Sequence, residues 1–299
     1  MTHAFYAQPG PMTSAGAHDL SRVPKKPADL ARMLHGLVIH EFMAPAYGVT
    51  VSAERANESH IRHVDQMLDR IFELDPSPLT VVRPPEQRLV GVCHHFSLLF
   101  VAMMREHGMP VRYRQGFGTY FNRPYAEEHV VAEYWNADES RWILVDPQLD
   151  AIWRQRLAFD FDPLDVPRDR FIVAGDAWQR CRAGRADPAH FGIFRGNLRG
   201  LWFIAGEMVR DVSALNAVEL LPWDVWGAMP PPSEPLDARL PYFDQLAALT
   251  LSDSVADLRS RFETDDGLRV PPTVFNAVRN RPETITGSWR PPSPVSGSA

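Results

Sequence analysis

The feature that most constrains how this chain folds is residues 91–108, whose middle is apolar on every side. From Phe96 to Met104 every residue except Ser97 is apolar. A helix without a polar face belongs in a protein core rather than at its surface. Gly91 supplies a flexible corner before this stretch, and Gly108 ends it just ahead of a proline. The pattern therefore predicts a buried core helix.

A cysteine stands in the first turn of this predicted helix. At that position the Cys93 side chain faces unpaired backbone N–H groups and the positive end of the helix dipole. Such surroundings favour a thiolate over a thiol. Cys93 is thus a candidate nucleophile, whereas Cys181, between arginines and without such surroundings, is interpreted as incidental.

Composition excludes several classes of function. The net charge of −6 and the pI near 6.0 give no reason to expect nucleic acid or an anionic membrane as a partner. The sequence has no stretch of roughly 18 apolar residues and no glycine-rich phosphate loop, so neither a membrane span nor a nucleotide cofactor is expected. His60 and His63 have no third ligand nearby, and no metal is expected. Two cysteines favour a reducing cytoplasm over a disulfide framework.

The order of the predicted elements favours an α+β fold. Residues 1–26 lack periodicity and are expected to be flexible, and residues 27–150 form the expected catalytic core. Within that core, apolar spacing predicts helices over 28–43 and 58–73 before the core helix, and strands over 111–120, 128–135 and 141–145 after it. Residues 151–265 are expected to form a helical region without strands that covers or extends the core. Residues 266–299 are expected to be a largely irregular tail, disordered over its last dozen residues.

A predicted hairpin in the core holds a histidine and an aspartate that are candidates to act with Cys93. The midpoint between His129 and Asp146 falls at residues 137–138, inside the turn-forming segment 136–140. If the flanking strands pair across that turn, the two side chains lie about opposite each other on one face of the sheet. An imidazole and a carboxylate so placed share a hydrogen bond, and Cys93 then needs to reach the other ring nitrogen. Cys-His-Asp is the economical interpretation.

Three sequence blocks carry a resemblance to a known family. Residues 91–112, 128–135 and 141–147 hold Cys93, His129 and Asp146 in that order, and they resemble the nucleophile helix and the histidine and aspartate strands of the transglutaminase-like superfamily. The resemblance implies a papain-like core in which the nucleophile helix packs on an antiparallel sheet. It implies Cys93 as nucleophile, His129 as general base and acid, and Asp146 as the residue that orients His129.

Other site residues are weaker candidates. The backbone N–H of Cys93 is one expected oxyanion donor, and the side chain of Gln87 is a candidate for the second, with an exposed loop glutamine as the alternative. His94 and Glu133 are candidates for the wall of the cleft, although packing and a structural hydrogen bond are open alternatives for them.

The sequence as a whole predicts a cytoplasmic, metal-free thiol enzyme. Cys93 is expected to attack an amide, ester or thioester and to form a thioester acyl-enzyme, which water or an amine resolves. Amide hydrolysis, deamidation and transamidation share every earlier step, and the sequence leaves them open. The alternative is a catalytically silent domain of the same fold that binds a peptide or a protein.

Overall fold

The fold is that of a computed structural model, which describes residues 2–232 and 234–285. Its helices are α1 Thr2–Tyr6, α2 Pro27–His35, α3 Val64–Leu74, α4 Cys93–Glu106, α5 Ala151–Leu157, α6 Ala174–Arg182, α7 Leu201–Leu215, α8 Leu240–Thr250 and α9 Val255–Thr264. Its strands are β1 Val38–His40, β2 Leu89–Gly91, β3 Val111–Asn122, β4 Tyr125–Asn136, β5 Arg141–Val145, β6 Phe171–Val173, β7 Phe191–Ile193, β8 Leu198–Arg199, β9 Asp224–Val225, β10 Thr273–Asn276 and β11 Arg281–Thr284. The predicted α+β class is confirmed.

The long core helix forms as its composition predicts. Every residue of α4 except Glu106 is buried. At its start, the Val92 N–H donates to His95 Nδ1, which lies so close to Gly91 that a side chain on Gly91 would clash with its ring. At its end, Gly108 adopts a left-handed conformation, and the carbonyls of the last turn accept hydrogen bonds from the residues that follow.

The central sheet has an interrupted edge where α4 begins. Its strands run in the order β6-β3-β4-β7-β8, and β5 also pairs with β4. On one edge of β4, β7 pairs with Ala126 and Glu127, and β5 pairs from Ala132 onward. Among the described strands none pairs with residues 128–131 on that edge. The backbone groups of this gap are therefore available to the first turns of α4.

The first helix predicted for the core is wrong beyond its middle. Residues 28–43 were expected to form one helix, whereas α2 ends at His35. The chain turns at Gly36 and continues as β1, which pairs in parallel with β2. Tertiary pairing thus overrides the helical spacing of the apolar residues. The change places His40 directly beside Gly91, next to the nucleophile helix.

The N-terminal segment packs against the domain, contrary to the expected flexibility of residues 1–26. Tyr6 and Met12 are almost completely buried. Thr13 accepts a hydrogen bond from the buried Arg105 of α4. The segment is irregular apart from α1, and contacts with residues distant in the sequence hold it against the domain. Local periodicity in the sequence does not predict such contacts.

The C-terminal part contains strands where none were expected. β6 pairs with β3 and β7 pairs with β4, so both extend the central sheet. α7 packs against β3. The hairpin β10–β11 lies within residues 266–299, which were expected to be irregular. Strands of two to four residues are too short to show an alternating pattern, which explains the error. The expected disorder of the last dozen residues lies outside the described residues.

Candidate active site

The first two turns of α4 contact the gap in β4. The backbone N–H of Val130 donates toward the Cys93 sulphur, and Ser97 Oγ donates to the Val130 carbonyl at 3.1 Å. One residue of the strand is thereby bonded to side chains from successive turns of the helix. This arrangement fixes Cys93, of which 7% is exposed, beside the residue that follows His129 in β4.

The structure brings His129 and Asp146 into direct contact. His129 Nε2 lies 2.8 Å from Asp146 Oδ2, and both side chains are buried. Because the carboxylate accepts at Nε2, Nδ1 is the ring nitrogen left for another partner. The contact is the one that an orienting carboxylate makes with a catalytic imidazole.

The expected register of this pair is wrong by two residues. β4 and β5 pair Ala132 with Val145, which places Asp146 beside Val131 rather than opposite His129. A shift of two residues preserves the face of the sheet, because side chains alternate with a period of two. Asp146 therefore reaches His129 diagonally across the strands.

Tyr120 is a site residue that sequence reasoning missed. Its hydroxyl donates to Asp146 Oδ2 at 2.7 Å, and the Gln148 N–H donates to Asp146 Oδ1 at 3.2 Å. Burial and the adjacent Asp146 raise the pKa of Tyr120 well above its usual range, which keeps the hydroxyl protonated as a donor. The register of β3 and β4 shifts between Gly118 and Asn122, so the position of Tyr120 does not follow from counting along the strand.

The protonation state expected of Cys93 is corrected by its burial. Burial raises the pKa of the Cys93 thiol well above its usual range, and Glu128 and Asp146 raise it further. The N–H groups of Val130 and His94 lower it by a smaller amount. Desolvation thus outweighs the helix start, and it favours a thiol over the expected thiolate.

Aromatic side chains cover the imidazole. The rings of Phe121 and His129 lie 4.7 Å apart between centroids, and Trp153 packs on the other side of Phe121 at 5.9 Å. His40 stacks edge-on against Trp153 at 5.5 Å. Burial, followed by the nearby His129, lowers the pKa of His40 to about 3, so that this second imidazole is neutral at physiological pH. These apolar and neutral groups limit the access of water to His129.

Gln87 lies exposed in a short 3-10 turn before β2, whereas Cys93 follows β2 at the other end of that strand. Extended chain advances about 3.3 Å per residue, so the length of β2 separates the two residues along the chain. Its exposure agrees with the alternative of an exposed loop glutamine, and its role as an oxyanion donor stays a prediction.

His94 and Glu133 are fully buried in the structure. His94 Nδ1 lies 2.7 Å from the Tyr113 hydroxyl. Glu133 forms ion pairs with Arg112, Arg114 and Arg168. These contacts agree with the alternatives of packing and a structural hydrogen bond, and a place in the wall of the cleft stays a prediction.

Two further observations bear on other kinds of site. The described residues contain no group of three or more His, Cys, Asp or Glu side chains arranged to hold a metal ion. Within the same residues, no helix has both the length and the apolar character needed to cross a bilayer.

Comparison with known proteins finds a family match for part of the chain. Residues 49–147 match the family model of the transglutaminase-like superfamily. The matched segment contains Cys93, His129 and Asp146, together with α4 and the three strands β3 to β5. No curated protein and no solved structure matches the chain. On the family match and the α+β architecture, the chain contains a transglutaminase-like domain.

Proposed function

We propose that this protein is a cysteine-dependent acyl-transfer enzyme with a Cys93-His129-Asp146 triad. The observation that carries the proposal is the 2.8 Å contact between His129 and Asp146. His129 is the residue before Val130, whose backbone N–H donates toward the Cys93 sulphur. The substrate class is an amide, ester or thioester carbonyl. Both cysteines of the chain are free, which supports the cytoplasm as its compartment.

Acylation begins with transfer of the thiol proton. His129 Nδ1 accepts the proton of Cys93, and the sulphur forms a bond to the carbonyl carbon of the substrate. The carbonyl oxygen becomes an oxyanion, for which the Cys93 N–H at the start of α4 is a donor. The intermediate collapses, the bond to the leaving group breaks, and His129 returns the proton to that group. A thioester remains on Cys93.

Deacylation repeats these steps with a second nucleophile. Water or an amine gives its proton to His129 and attacks the thioester, and the Cys93 sulphur leaves and regains the proton. Asp146 orients the imidazole and stabilises its positive charge in both halves of the reaction. The aromatic cover formed by Phe121 and Trp153 limits water, which supports transfer to an amine over hydrolysis.

The test is acylation of the full-length protein by p-nitrophenyl acetate. We expect a burst of p-nitrophenolate and an acetyl group on Cys93, located by mass spectrometry of peptides. Cys93→Ser abolishes the burst, and His129→Ala lowers its rate by a factor of about 10² or more. Cys181→Ser is the matched control, and it leaves the burst unchanged.

A second candidate function is a catalytically silent domain that binds a peptide or a protein. The deep burial of Cys93 and the raised pKa of its thiol favour this alternative, because both reduce the reactivity of the sulphur. The same experiment separates the two. If acylation of Cys93 is slow and equal in the wild type and in His129→Ala, the binding module is the better account and the enzyme is excluded.

A further inference from the structure

A second group of polar side chains lies next to Cys93, on the sheet face that α4 covers. Gln115 of β3 pairs with Val130, the residue whose N–H faces the Cys93 sulphur. Glu128 lies two residues before Val130 in β4 and therefore on the same face. Glu207 comes from α7, which packs against β3. β3, β4 and α7 thus bring an amide and two carboxyl groups together, with Glu128 the carboxyl group that acts on the Cys93 thiol, and the triad uses none of them.

These side chains hold polar atoms without partners. Within the described residues, neither Gln115 Oε1 nor Gln115 Nε2 has a hydrogen-bond partner, and the same is true of Glu128 Oε1 and Glu207 Oε2. Gln115 and Glu207 are fully buried. Buried polar atoms are almost always bonded, and leaving one unsatisfied costs about 1–3 kcal/mol. Several in one region need partners from outside the protein, either ordered water or a bound group.

The charge of this group is incompletely balanced. Arg210 donates to Glu207 Oε1 at 2.6 Å, but it is also engaged with the Asp224 carbonyl. Burial raises the pKa of Glu207 to about 7, and burial together with Glu207 raises the pKa of Glu128 well above its usual range. One guanidinium thus faces two carboxyl groups, and a further positive charge would stabilise both in their ionised form.

We propose that Gln115, Glu128 and Glu207 form a subsite for a cationic group, a primary ammonium or a guanidinium, on the substrate that reacts at Cys93. Three of the four free atoms are acceptors, on two carboxyl groups and one amide, and they suit a donor that carries several N–H bonds; the fourth, Gln115 Nε2, is itself a donor. Glu128 is partly exposed although its Oε1 is buried, which makes it the member of the group nearest to solvent. This inference rests on the proposed function, because it specifies the substrate of the same thiol.

The subsite is tested with two reagents that differ in charge. Both aminoethyl methanethiosulfonate, which is cationic, and methyl methanethiosulfonate, which is neutral, form a disulfide with a thiolate and release methanesulfinate. Full-length Cys181→Ser protein leaves Cys93 as the target. The measured quantity is the ratio of the two modification rates, which cancels changes in the reactivity of the thiol itself.

We expect Glu128→Gln and Glu207→Gln each to lower the cationic-to-neutral rate ratio by a factor of about 10 or more, the magnitude of one lost charge-assisted hydrogen bond. Glu106→Gln, at an exposed end of α4, removes the same charge and leaves the ratio unchanged. Glu128 has no described hydrogen bond to lose at Oε1 and is partly exposed, so its variant folds even if Glu207→Gln does not.

Three results have different consequences. A ratio that is the same in the wild type, Glu128→Gln and Glu106→Gln overturns the cationic subsite and leaves the triad standing. Rates with the neutral reagent that do not change in His129→Ala instead contradict the proposed function. A ratio that falls only in the Glu128 and Glu207 variants supports the subsite.

Discussion

Asp146 binds the His129 imidazole at 2.8 Å from a position diagonal to it, one residue beyond the end of β5. Val145 is the last residue of β5 that pairs with β4. Asp146 follows it outside the paired part of the strand, and its carboxylate reaches the side chain of His129 in β4. Tyr120 and the Gln148 N–H then hold its two oxygens. The orientation of His129 therefore depends on a short hydrogen-bonded chain rather than on direct opposition of two strand residues.

Replacement of Asp146 by asparagine tests this chain. Asp146→Asn keeps the shape of the side chain, but an amide neither fixes the His129 tautomer nor stabilises its positive charge. We expect the acylation rate of Cys93 by p-nitrophenyl acetate to fall by a factor of about 10² or more. Asp138→Asn in the exposed turn between β4 and β5 is the control. Equal rates in Asp146→Asn and the wild type would remove Asp146 from the triad.

Tyr120→Phe is expected to have a smaller effect of the same kind. It removes the 2.7 Å donor to Asp146 and leaves the His129 contact in place. The loss of one hydrogen bond predicts a rate roughly 5-fold lower, corresponding to about 1 kcal/mol. Tyr125→Phe, in the same hairpin, removes a hydroxyl from a ring that stacks on Phe194 and serves as control. A larger loss in Tyr125→Phe than in Tyr120→Phe contradicts this assignment.

The sequence predicts the parts of this site that local pattern determines. The apolar run without a polar face predicts α4. The glycines at its two ends set its limits and so place Cys93 in its first turn. The four-residue turn 137–140 places the centre of the hairpin one residue later than expected. Because that error shifts the register by two residues, His129 and Asp146 still share a face of the sheet.

The parts that the sequence does not predict depend on distant contacts. Tyr120 reaches Asp146 through an irregularity in β3, whose presence no residue type announces. β1 and β6 are strands of three residues, and each exists because it pairs with a remote partner, β2 or β3. His40 is brought next to the site by the first of these pairings. Local periodicity carries no signal for such contacts.

Glu133→Gln is expected to destabilise the fold without removing the chemistry. Burial alone would raise the pKa of Glu133, but Arg112, Arg114 and Arg168 hold it well below its usual range. The variant removes the charged partner of the buried Arg112 and one of the two carboxylates that Arg114 contacts, and it is expected to lower the free energy of unfolding by about 3 kcal/mol or more. Urea denaturation measures the change, with the exposed Glu139→Gln as control.

The pH dependence of stability gives a second measurement on Glu133. A carboxyl group with a lowered pKa in the folded state stabilises the fold above its unfolded pKa, and this stability is lost as the pH falls below that value. An ordinary carboxyl group in an unfolded chain titrates between about pH 5 and about pH 3. Over that range the wild type should therefore lose more stability than Glu133→Gln does. Parallel curves for the two proteins would show that Glu133 is not responsible.

Removal of the aromatic cover is expected to change the fate of the acyl-enzyme. Phe121 lies between the His129 and Trp153 rings, so Phe121→Ala opens the imidazole to solvent. Water then competes better with an amine for the thioester. We expect the ratio of hydrolysis to aminolysis of acetyl-Cys93, measured with hydroxylamine as the acceptor, to rise several-fold, on the order of 5-fold. Phe275→Ala, at an exposed position of β10, should leave the ratio unchanged. If Phe121→Ala also leaves it unchanged, the cover does not select against water, and the argument for transfer over hydrolysis fails.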